Sequence, residues 1–332
     1  MSRPRIVSIS PLSAIEGGRV TIEGSDLVDG EHDQPQVEIG NVLAHVVSAS
    51  SNSVSVIVPQ GCDGGQLPVR LGSAPGETAF LGIGRPIATG LHQVDSPVVD
   101  SDGSVYVTYS GSRGERSPVS VFRVRRDGFR EPFVTGITNA TSLAFSPDGE
   151  LYVSSRFEGS IYCVATDGTF ETFAKDLGVT CGMAFSPEGT LYVGDRSGTI
   201  FRVGSDGEPS VFAAVPASVA AFHLAWGPDN GLYVTAPTLA SYDSVYRVDT
   251  SGVVAKINSD FGRPQGLSFD PKGSLCVVEA LAGQSGLYRL PAKEVPTKMV
   301  AASNLVGAAF GPFGELIVTT NDTAYRFDSV AV

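Results

Sequence analysis

The chain has 332 residues and a net charge of −12; charged residues make up 17% of it and Gly occurs 39 times. This acidic balance repels phosphate backbones, so nucleic acid is not an expected partner, and the low charge with many glycines favours an all-β fold. No apolar run reaches about 18 residues, the length of a membrane span, and the start lacks the apolar stretch of a signal peptide. We expect no membrane association and a cytoplasmic location, with secretion left open if Met1 is not the native start.

Short alternating strands fill the first 83 residues. Residues 4–27 predict a strand, a proline-containing turn, a Gly-Gly turn and the alternating strand RVTIEG. Seven short strands in this segment predict a sandwich of immunoglobulin type. The remaining strands are QVEIG (36–40), LAHVVSAS (43–50), SVSVIVP (53–59), QLPVRLG (66–72) and ETAFLGI (77–83).

The motif SISPLSAIEGGRVTIEG (8–24) resembles the start of the IPT/TIG domain family. That resemblance implies an interaction or spacer module rather than a catalytic domain. We therefore expect an immunoglobulin-like domain over residues 1–83. The short connection GIGRP (82–86) predicts that this domain is held close to the rest of the chain.

Six copies of one hairpin follow, recurring every 40 to 46 residues when they are aligned on a turn glycine. Two further strands follow each of the first five copies, so the sequence predicts four strands per repeat. A period near 40 of short strands is typical of a β-propeller. We therefore predict an all-β fold in which residues 84–332 form a six-bladed propeller. The aligned turn glycines are Gly103, Gly149, Gly189, Gly231, Gly273 and Gly314.

The sixth copy ends too early for a fourth strand, whereas an unpaired strand precedes the first copy. This strand, in RPIATGL (85–91), matches the fourth strand in EPFVTGI (131–137). We predict that residues 86–89 pair with residues 324–327 and close the ring, since closure removes an exposed sheet edge.

Two motifs connect the repeats with known propellers. VGDRSGTIFRV (193–203) resembles an NHL repeat, and DSPVV (95–99), followed by the six hairpins, resembles the gluconolactonase-like family that includes senescence marker protein and regucalcin. The resemblance covers about residues 84–332. It implies a channel-bound divalent cation, held by oxygen ligands, that assists lactone hydrolysis.

The residues that begin the innermost strands are the candidate ligand-binding set. Most copies place a small residue second in this position, but the fourth has His223, which is either a hydrogen-bonded structural histidine or a group that contacts a ligand. The longest insertions, 108–120 and 235–244, come from opposite blades and predict that the largest pocket lies on this face, although ordinary loop variation also explains them. The candidates are Asp95, Thr141, Cys181, His223 and Gln265, with Arg113 and Tyr242 from the two loops.

The implied metal ligands are mostly replaced in this chain. Asp95 stands where the family has a glutamate, but the later amide and carboxylate positions fall on Cys181, Gln265 or Val306. We therefore predict no channel metal and no cofactor. Arg113 or Arg116 is a candidate salt-bridge partner for Asp95.

Three functions remain open at this point. The first is a binding protein whose propeller recognises a small molecule or a protein partner at the channel face. The second is a hydrolase or isomerase of the gluconolactonase-like class with an altered metal site, acting on a lactone or related ester. The third is a structural interaction scaffold. Asp195 and Glu279, two residues past equivalent strands, are expected to cap the following turns rather than act as acids.

Overall fold

The computed structural model describes residues 4–28, 35–72, 79–291 and 295–329. Every regular element in these ranges is a β-strand. Within the same ranges, no helix is long and apolar enough to cross a membrane.

The N-terminal segment forms two sheets around an apolar core. One sheet has the strand order β1-β3-β7-β6, and the other contains β2-β9-β8-β4-β5. Alternate residues of β3 and β7, such as Val20, Ile22, Val54 and Val56, are buried between the sheets, as period-two patterning requires. The strands are β1 (Arg5–Ser10), β2 (Ser13–Ala14), β3 (Arg19–Ser25), β4 (Val37–Ile39), β5 (Val42–Leu43), β6 (His45–Ala49), β7 (Ser53–Ile57), β8 (Gly65–Leu71) and β9 (Ala79–Ile83).

The single strand predicted over 43–50 is divided between the two sheets. β5 pairs with β4, whereas β6 pairs with β7. The buried Ala44 lies between them, and its backbone N–H donates to the carbonyl of Val37 at 2.8 Å. An alternating pattern does not show such a change of sheet, because both halves keep the same period. Residues 77 and 78 of the predicted last strand lie outside the described residues.

The repeat region folds into four-stranded antiparallel units. The units are β11–β14, β15–β18, β19–β22, β23–β26 and β27–β30, followed by β31, β32 and β33 with β10 as the outer strand. The strands are β10 (Arg85–Ala88), β11 (Val98–Val99), β12 (Val105–Thr108), β13 (Val121–Val124), β14 (Arg130–Val134), β15 (Ala140–Phe145), β16 (Leu151–Ser155), β17 (Ser160–Val164), β18 (Phe170–Ala174), β19 (Thr180–Phe185), β20 (Leu191–Asp195), β21 (Thr199–Val203), β22 (Pro209–Ala214), β23 (His223–Trp226), β24 (Leu232–Thr235), β25 (Asp243–Val248), β26 (Val254–Phe261), β27 (Pro264–Phe269), β28 (Leu275–Glu279), β29 (Gly286–Leu290), β30 (Thr297–Ala301), β31 (Leu305–Phe310), β32 (Leu316–Thr320) and β33 (Ala324–Phe327).

The hairpin turns identify the repeat but correct one aligned position. Five of the six turn glycines have a positive φ, and in the fourth copy Asn230 (φ 54°) takes this role instead of Gly231. The N–H of Asn230 donates to the carbonyl of Gly227, as the N–H of Gly149 does to Ser146. Asn tolerates the left-handed conformation better than other non-glycine residues, so it replaces glycine in this turn.

Innermost strands of successive units pack against each other, and the last returns to the first. β15 contacts β19, β19 contacts β23, β23 contacts β27, and β27 contacts β31. The first innermost strand, β11, contacts both β15 and β31. The approach is close: a methyl group on Gly307 would lie 2.3 Å from the Cα of Ser96. This contact explains why most copies carry Gly or Ser at the second position.

The two ends of the repeat region share one sheet. β10 pairs antiparallel with β33, with Arg85 opposite Arg326 and Pro86 opposite Tyr325. Only Gly84 separates β10 from β9, the last strand of the sandwich. The last unit therefore takes its outer strand from the chain that has just left the sandwich.

The sandwich is also joined to the repeats by backbone hydrogen bonds. The short strand β2 pairs in parallel with both β9 and β30, so one nine-stranded sheet runs through both regions. Ile15, which follows β2, is fully buried in a cluster with Val300, Phe327 and other residues of the last two units. The two regions consequently share a sheet and an apolar contact.

Candidate functional site

A buried polar network links three innermost positions of the repeat region. Asp95 precedes β11, His223 begins β23 and Gln265 lies in β27. The Nδ1 atom of His223 lies 2.6 Å from Oδ1 of Asp95, and its Nε2 atom lies 3.1 Å from Oε1 of Gln265. The units of Asp95 and His223 are separated by two others along the chain, so the pair joins opposite parts of the repeat region.

Neither ring nitrogen of His223 is free. With the Gln265 amide oxygen facing Nε2, both ring nitrogens face acceptor oxygens. If the amide is flipped, its NH₂ group donates to Nε2 and a single proton at Nδ1 remains for Asp95. In both arrangements His223 donates to Asp95, and its side chain is fully buried.

Further hydrogen bonds fix Asp95 and Gln265. The backbone N–H of Ser96 donates to Oδ1 of Asp95 at 2.7 Å, and the side chain of Gln93 donates to the Asp95 carbonyl at 2.6 Å. The hydroxyl of Thr235 donates to the carbonyl of Gln265 at 2.6 Å. The expected salt bridge from Asp95 to Arg113 or Arg116 is therefore wrong: His223 is the ionisable partner, because its ring reaches the carboxylate from the opposite unit.

A cavity of about 520 Å³ adjoins this network, and we call it the channel cavity. Of the predicted candidates, Thr141, Cys181 and Gln265 line it, whereas Asp95 and His223 are buried beside Gln265. The described residues of its lining include no aspartate or glutamate. Apolar lining comes from Val94, Val219, Ala220, Ala221, Ala280, Leu305 and Val306, and neutral polar groups from Gln93, Thr141, Gln265, Asn304 and Asn321.

Three arginines that sequence reasoning missed, Arg156, Arg196 and Arg263, also line the channel cavity. Arg156 directly follows β16 and Arg196 directly follows β20, so both occupy the same repeat position in LYVSSR and LYVGDR. The signal was present in the alignment, since Ala280 and Asn321 stand at this position in later copies and also line the cavity.

Cys181 contributes a protonated thiol to the wall. Burial raises its pKa to about 12, Asp95 acts in the same direction, and Arg196 and Arg156 oppose the shift. Its Sγ atom lies 3.4 Å from the carbonyl of Val179. A thiol in this state is a poor nucleophile at neutral pH.

Arg113 and Tyr242 lie outside the lining of the channel cavity. Both are exposed, Tyr242 to 66%. The first insertion is nevertheless well fixed: the side-chain amide of Asn139 donates to the carbonyls of Ser110 and Ser112 and accepts from the N–H of Gly114. The strand ends and short loops, rather than the two long insertions, supply the cavity wall.

Asp195 and Glu279 bind backbone groups. Asp195 accepts from the N–H of Val179 at 2.8 Å and from the hydroxyl of Ser197. Glu279 accepts from the N–H groups of Gly262, Arg263 and Leu281 at 2.6 to 2.9 Å. These bonds hold the loops beside the cavity.

The donor set does not fit the divalent cation that the gluconolactonase-like resemblance implies. The described residues contain no group of three His, Cys, Asp or Glu side chains that could hold a metal. Asp95, the matching carboxylate, already accepts from His223 and Ser96. A hard cation needs several oxygen ligands, and here a thiol and an amide occupy the other positions.

A second cavity of about 550 Å³ lies between the sandwich and the repeats, and we call it the interdomain cavity. Glu16, His45 and Gln60 line it from one side and Asp322 and Tyr325 from the other. Its volume is close to that of the channel cavity, and the expectation that the channel face holds the largest pocket stays a prediction. The sandwich creates this space by packing beside the loops of the last two units, an arrangement that the repeat pattern does not contain.

Comparisons with known proteins agree with both parts of the chain. Residues 4–79 match the IPT/TIG domain profile. No curated protein matches the sequence at a significant level.

Similar solved structures extend across both regions. A putative gluconolactonase (TM-score 0.61, 18% identity) is matched over 75% of this chain and 92% of that chain. An auxiliary nutrient binding protein from Bacteroides ovatus (TM-score 0.55, 13% identity) is matched over 98% of each chain. Virginiamycin B lyase from Staphylococcus aureus (TM-score 0.54, 13% identity) is matched over 88% of this chain and 99% of that chain.

At these identities the similar structures establish the fold, not a shared activity. The sequence motif at 8–24 is confirmed as part of an IPT/TIG domain, and the all-β repeats resemble the gluconolactonase-like and lyase propellers. The chain thus carries an IPT/TIG domain joined to a β-propeller-like region.

Proposed function

We propose that this protein binds a small molecule in the channel cavity. The observation that carries the proposal is a space of about 520 Å³, a size typical of ligand pockets, placed beside a buried hydrogen-bonded polar network. Thr141, Cys181 and Gln265 are the predicted residues assigned to its wall, and Asp95 and His223 are assigned to the support beneath it.

The proposal includes the architecture around the cavity. We assign residues 1–83 to the IPT/TIG domain and residues 84–332 to a six-bladed propeller of the NHL and gluconolactonase-like type. Six four-stranded units and the contacts from β31 back to β11 support the closed ring. The structural similarity to a protein named as nutrient binding supports a binding role.

The hydrolase or isomerase alternative has less support from the side chains. His223 is fully buried with both nitrogens engaged, the Cys181 thiol is protonated, and the described lining supplies no carboxylate. General acid–base chemistry needs a titratable group that can reach a bound substrate. The scaffold alternative agrees with the Asp95–His223 contact, because this buried pair connects the innermost strands of two units. It assigns no role to the cavity.

A cavity-filling variant tests the proposal. We expect at least one probe from a set of D-glucose, gluconolactone, benzamide, benzoate and phenyl phosphate to raise the melting temperature of the wild type. Ala280→Trp should abolish the shift because the indole occupies the cavity, whereas Ala255→Trp, on the exposed outer strand β26, should retain it. The absence of any shift, or an equal shift in Ala280→Trp, would refute binding in this cavity.

Metal titration separates binding from the enzyme alternative. We expect calorimetry with Ca²⁺, Mn²⁺ and Zn²⁺ to show no micromolar site on the wild type, because Asp95 is committed to His223. A micromolar site that disappears in Asp95→Asn would contradict the proposal and favour the hydrolase.

A further inference from the structure

The three arginines of the channel cavity form no ion pair with any carboxylate that the structure describes. No described carboxylate lies within ion-pair distance of Arg156, Arg196 or Arg263, although other arginines, such as Arg247 and Arg289, are paired with aspartates. Arg156 is half-buried in the cavity wall, where a charge without a counter-ion costs more than on the open surface, whereas Arg196 and Arg263 are exposed.

The acidic residues near these arginines in sequence accept hydrogen bonds from other groups. Glu158, two residues after Arg156, accepts from the hydroxyl of Tyr162. Asp195 precedes Arg196, but its carboxylate accepts from Val179 N–H and Ser197. Glu279 accepts the backbone N–H of Arg263 together with two other N–H groups. These carboxylates hold the loops that carry the arginines, and none of them forms an ion pair with Arg156, Arg196 or Arg263.

The positive charges also act on each other. Burial is the main cause that lowers the pKa of Arg156; Cys181 opposes the shift, and the charges of Arg196 and Arg113 lower the pKa by smaller amounts. The charge of Arg156 also contributes to a lowered pKa at His92, after burial. Like charges near one cavity raise the energy of the free protein, and a bound anion would relieve that repulsion.

We propose that the channel cavity binds an organic anion, a carboxylate or phosphate group on an apolar body, through the guanidinium groups of Arg156, Arg196 and Arg263. This inference rests on the proposed function and names its ligand class. Guanidinium groups bind both oxyanions with paired, charge-assisted hydrogen bonds. The apolar wall, including Val219, Leu305 and Val306, favours an organic body over a bare inorganic ion.

Matched probes test the charge requirement. We expect benzoate and phenyl phosphate to bind the wild type at least about tenfold more tightly than the neutral benzamide, the effect of a charge-assisted contact. Inorganic phosphate should bind more weakly than phenyl phosphate because it lacks the apolar body. Raising the salt concentration should weaken binding of both organic anions and leave benzamide unchanged. The stronger of the two anions identifies the preferred head group.

Arginine variants test the site. Arg156→Gln and Arg196→Gln should each weaken anion binding about tenfold or more. Arg156→Lys should restore part of the affinity, since it keeps the charge but not the planar fork. Arg70→Gln, which removes an exposed arginine from β8 of the sandwich, is the matched control and should bind within about twofold of the wild type.

The possible failures are distinguishable. If benzamide binds, is displaced in Ala280→Trp, and matches benzoate in affinity, the small-molecule proposal stands and the anion inference is wrong. If no probe binds in the cavity, both are wrong. Should an arginine variant fail to fold, the salt dependence and the benzoate–benzamide difference on the wild type decide the inference.

Discussion

Two cavities of similar volume lie side by side on this molecule, and the charged side chains in their walls differ. The interdomain cavity carries Glu16 and Asp322, and each has a protein donor: Tyr325 Oη lies 2.9 Å from Glu16, and the hydroxyl of Thr323 lies 2.8 Å from Asp322. The channel cavity carries three arginines without a carboxylate partner among the described residues. Volume therefore does not distinguish the two spaces, but the charge of their walls does, since one carries carboxylates that accept from neutral hydroxyls and the other carries guanidinium groups.

A shared wall makes the comparison direct. Asn304 and Asn321 line both cavities, and the side chain of Asn321 donates to the carbonyl of Gln93 at 3.0 Å. Guanidinium groups bind oxyanions, so only the wall of the channel cavity is suited to an anionic ligand. The variants below test this difference, from the largest expected effect to the smallest.

The largest effect is expected where the channel cavity rests on the Asp95–His223 pair. His223→Leu should lower the free energy of unfolding by about 3–5 kcal/mol, because it leaves the carboxylate of Asp95 buried without its partner. Urea unfolding measures the change. The double variant Asp95→Leu/His223→Leu should lose less than the two single losses combined, and simple additivity would contradict the pairing.

A paired and an unpaired arginine should respond in opposite directions. Arg289→Met should cost about 1–3 kcal/mol, because Arg289 Nε lies 3.0 Å from the fully buried carboxylate of Asp270. Arg156→Met should leave the free energy of unfolding unchanged or raise it, since it removes repulsion from Arg196. Thermal unfolding compares the two, and a loss in Arg156→Met as large as that in Arg289→Met would show that Arg156 is structural.

The hydrogen bond of the interdomain cavity should be separable from the channel cavity. Tyr325→Phe should lower the free energy of unfolding by about 0.5–1.5 kcal/mol through loss of its contact with Glu16. Benzoate affinity in the same variant should match the wild type. A changed affinity would mean that the two cavities act together through their shared wall.

The smallest effect at neutral pH concerns the Cys181 thiol. Because its pKa is about 12 in the folded protein and its ordinary value is near 9, the folded state holds the proton more tightly than the unfolded state. Stability should therefore fall as pH rises from 9 towards 12, and Cys181→Ala should show a shallower fall. Below pH 8, Cys181 should resist a thiol-specific disulfide reagent unless the protein is unfolded. Rapid labelling of native Cys181 would contradict its buried, protonated state.

Much of the fold could be predicted because its signals are local. A turn residue with positive φ between two alternating strands specifies a hairpin, and repetition of the hairpin predicts four-stranded units. The IPT/TIG motif at 8–24 was equally informative, since it contains a complete strand–turn–strand unit. Even the one misplaced turn, at Asn230, shifted the alignment by a single residue without changing the strands.

The candidate site was predicted only in part. The repeat alignment brought Thr141, Cys181 and Gln265 to one cavity, because equivalent positions of a repeat face the same way. It did not identify Arg156 and Arg196, although they share a repeat position. It also assigned Asp95 an arginine partner from a nearby loop, whereas the partner is 128 positions away.

Sequence by itself determined the strands, the turns and the order of the units, because each depends on residues that are neighbours along the chain. Only the tertiary structure decided that His223 meets Asp95, that β2 joins β30, and that three arginines line one cavity. Those contacts depend on how distant segments are placed in space. A side chain's hydrogen-bond partners and its unbalanced charge are set by that placement, and no local pattern records them.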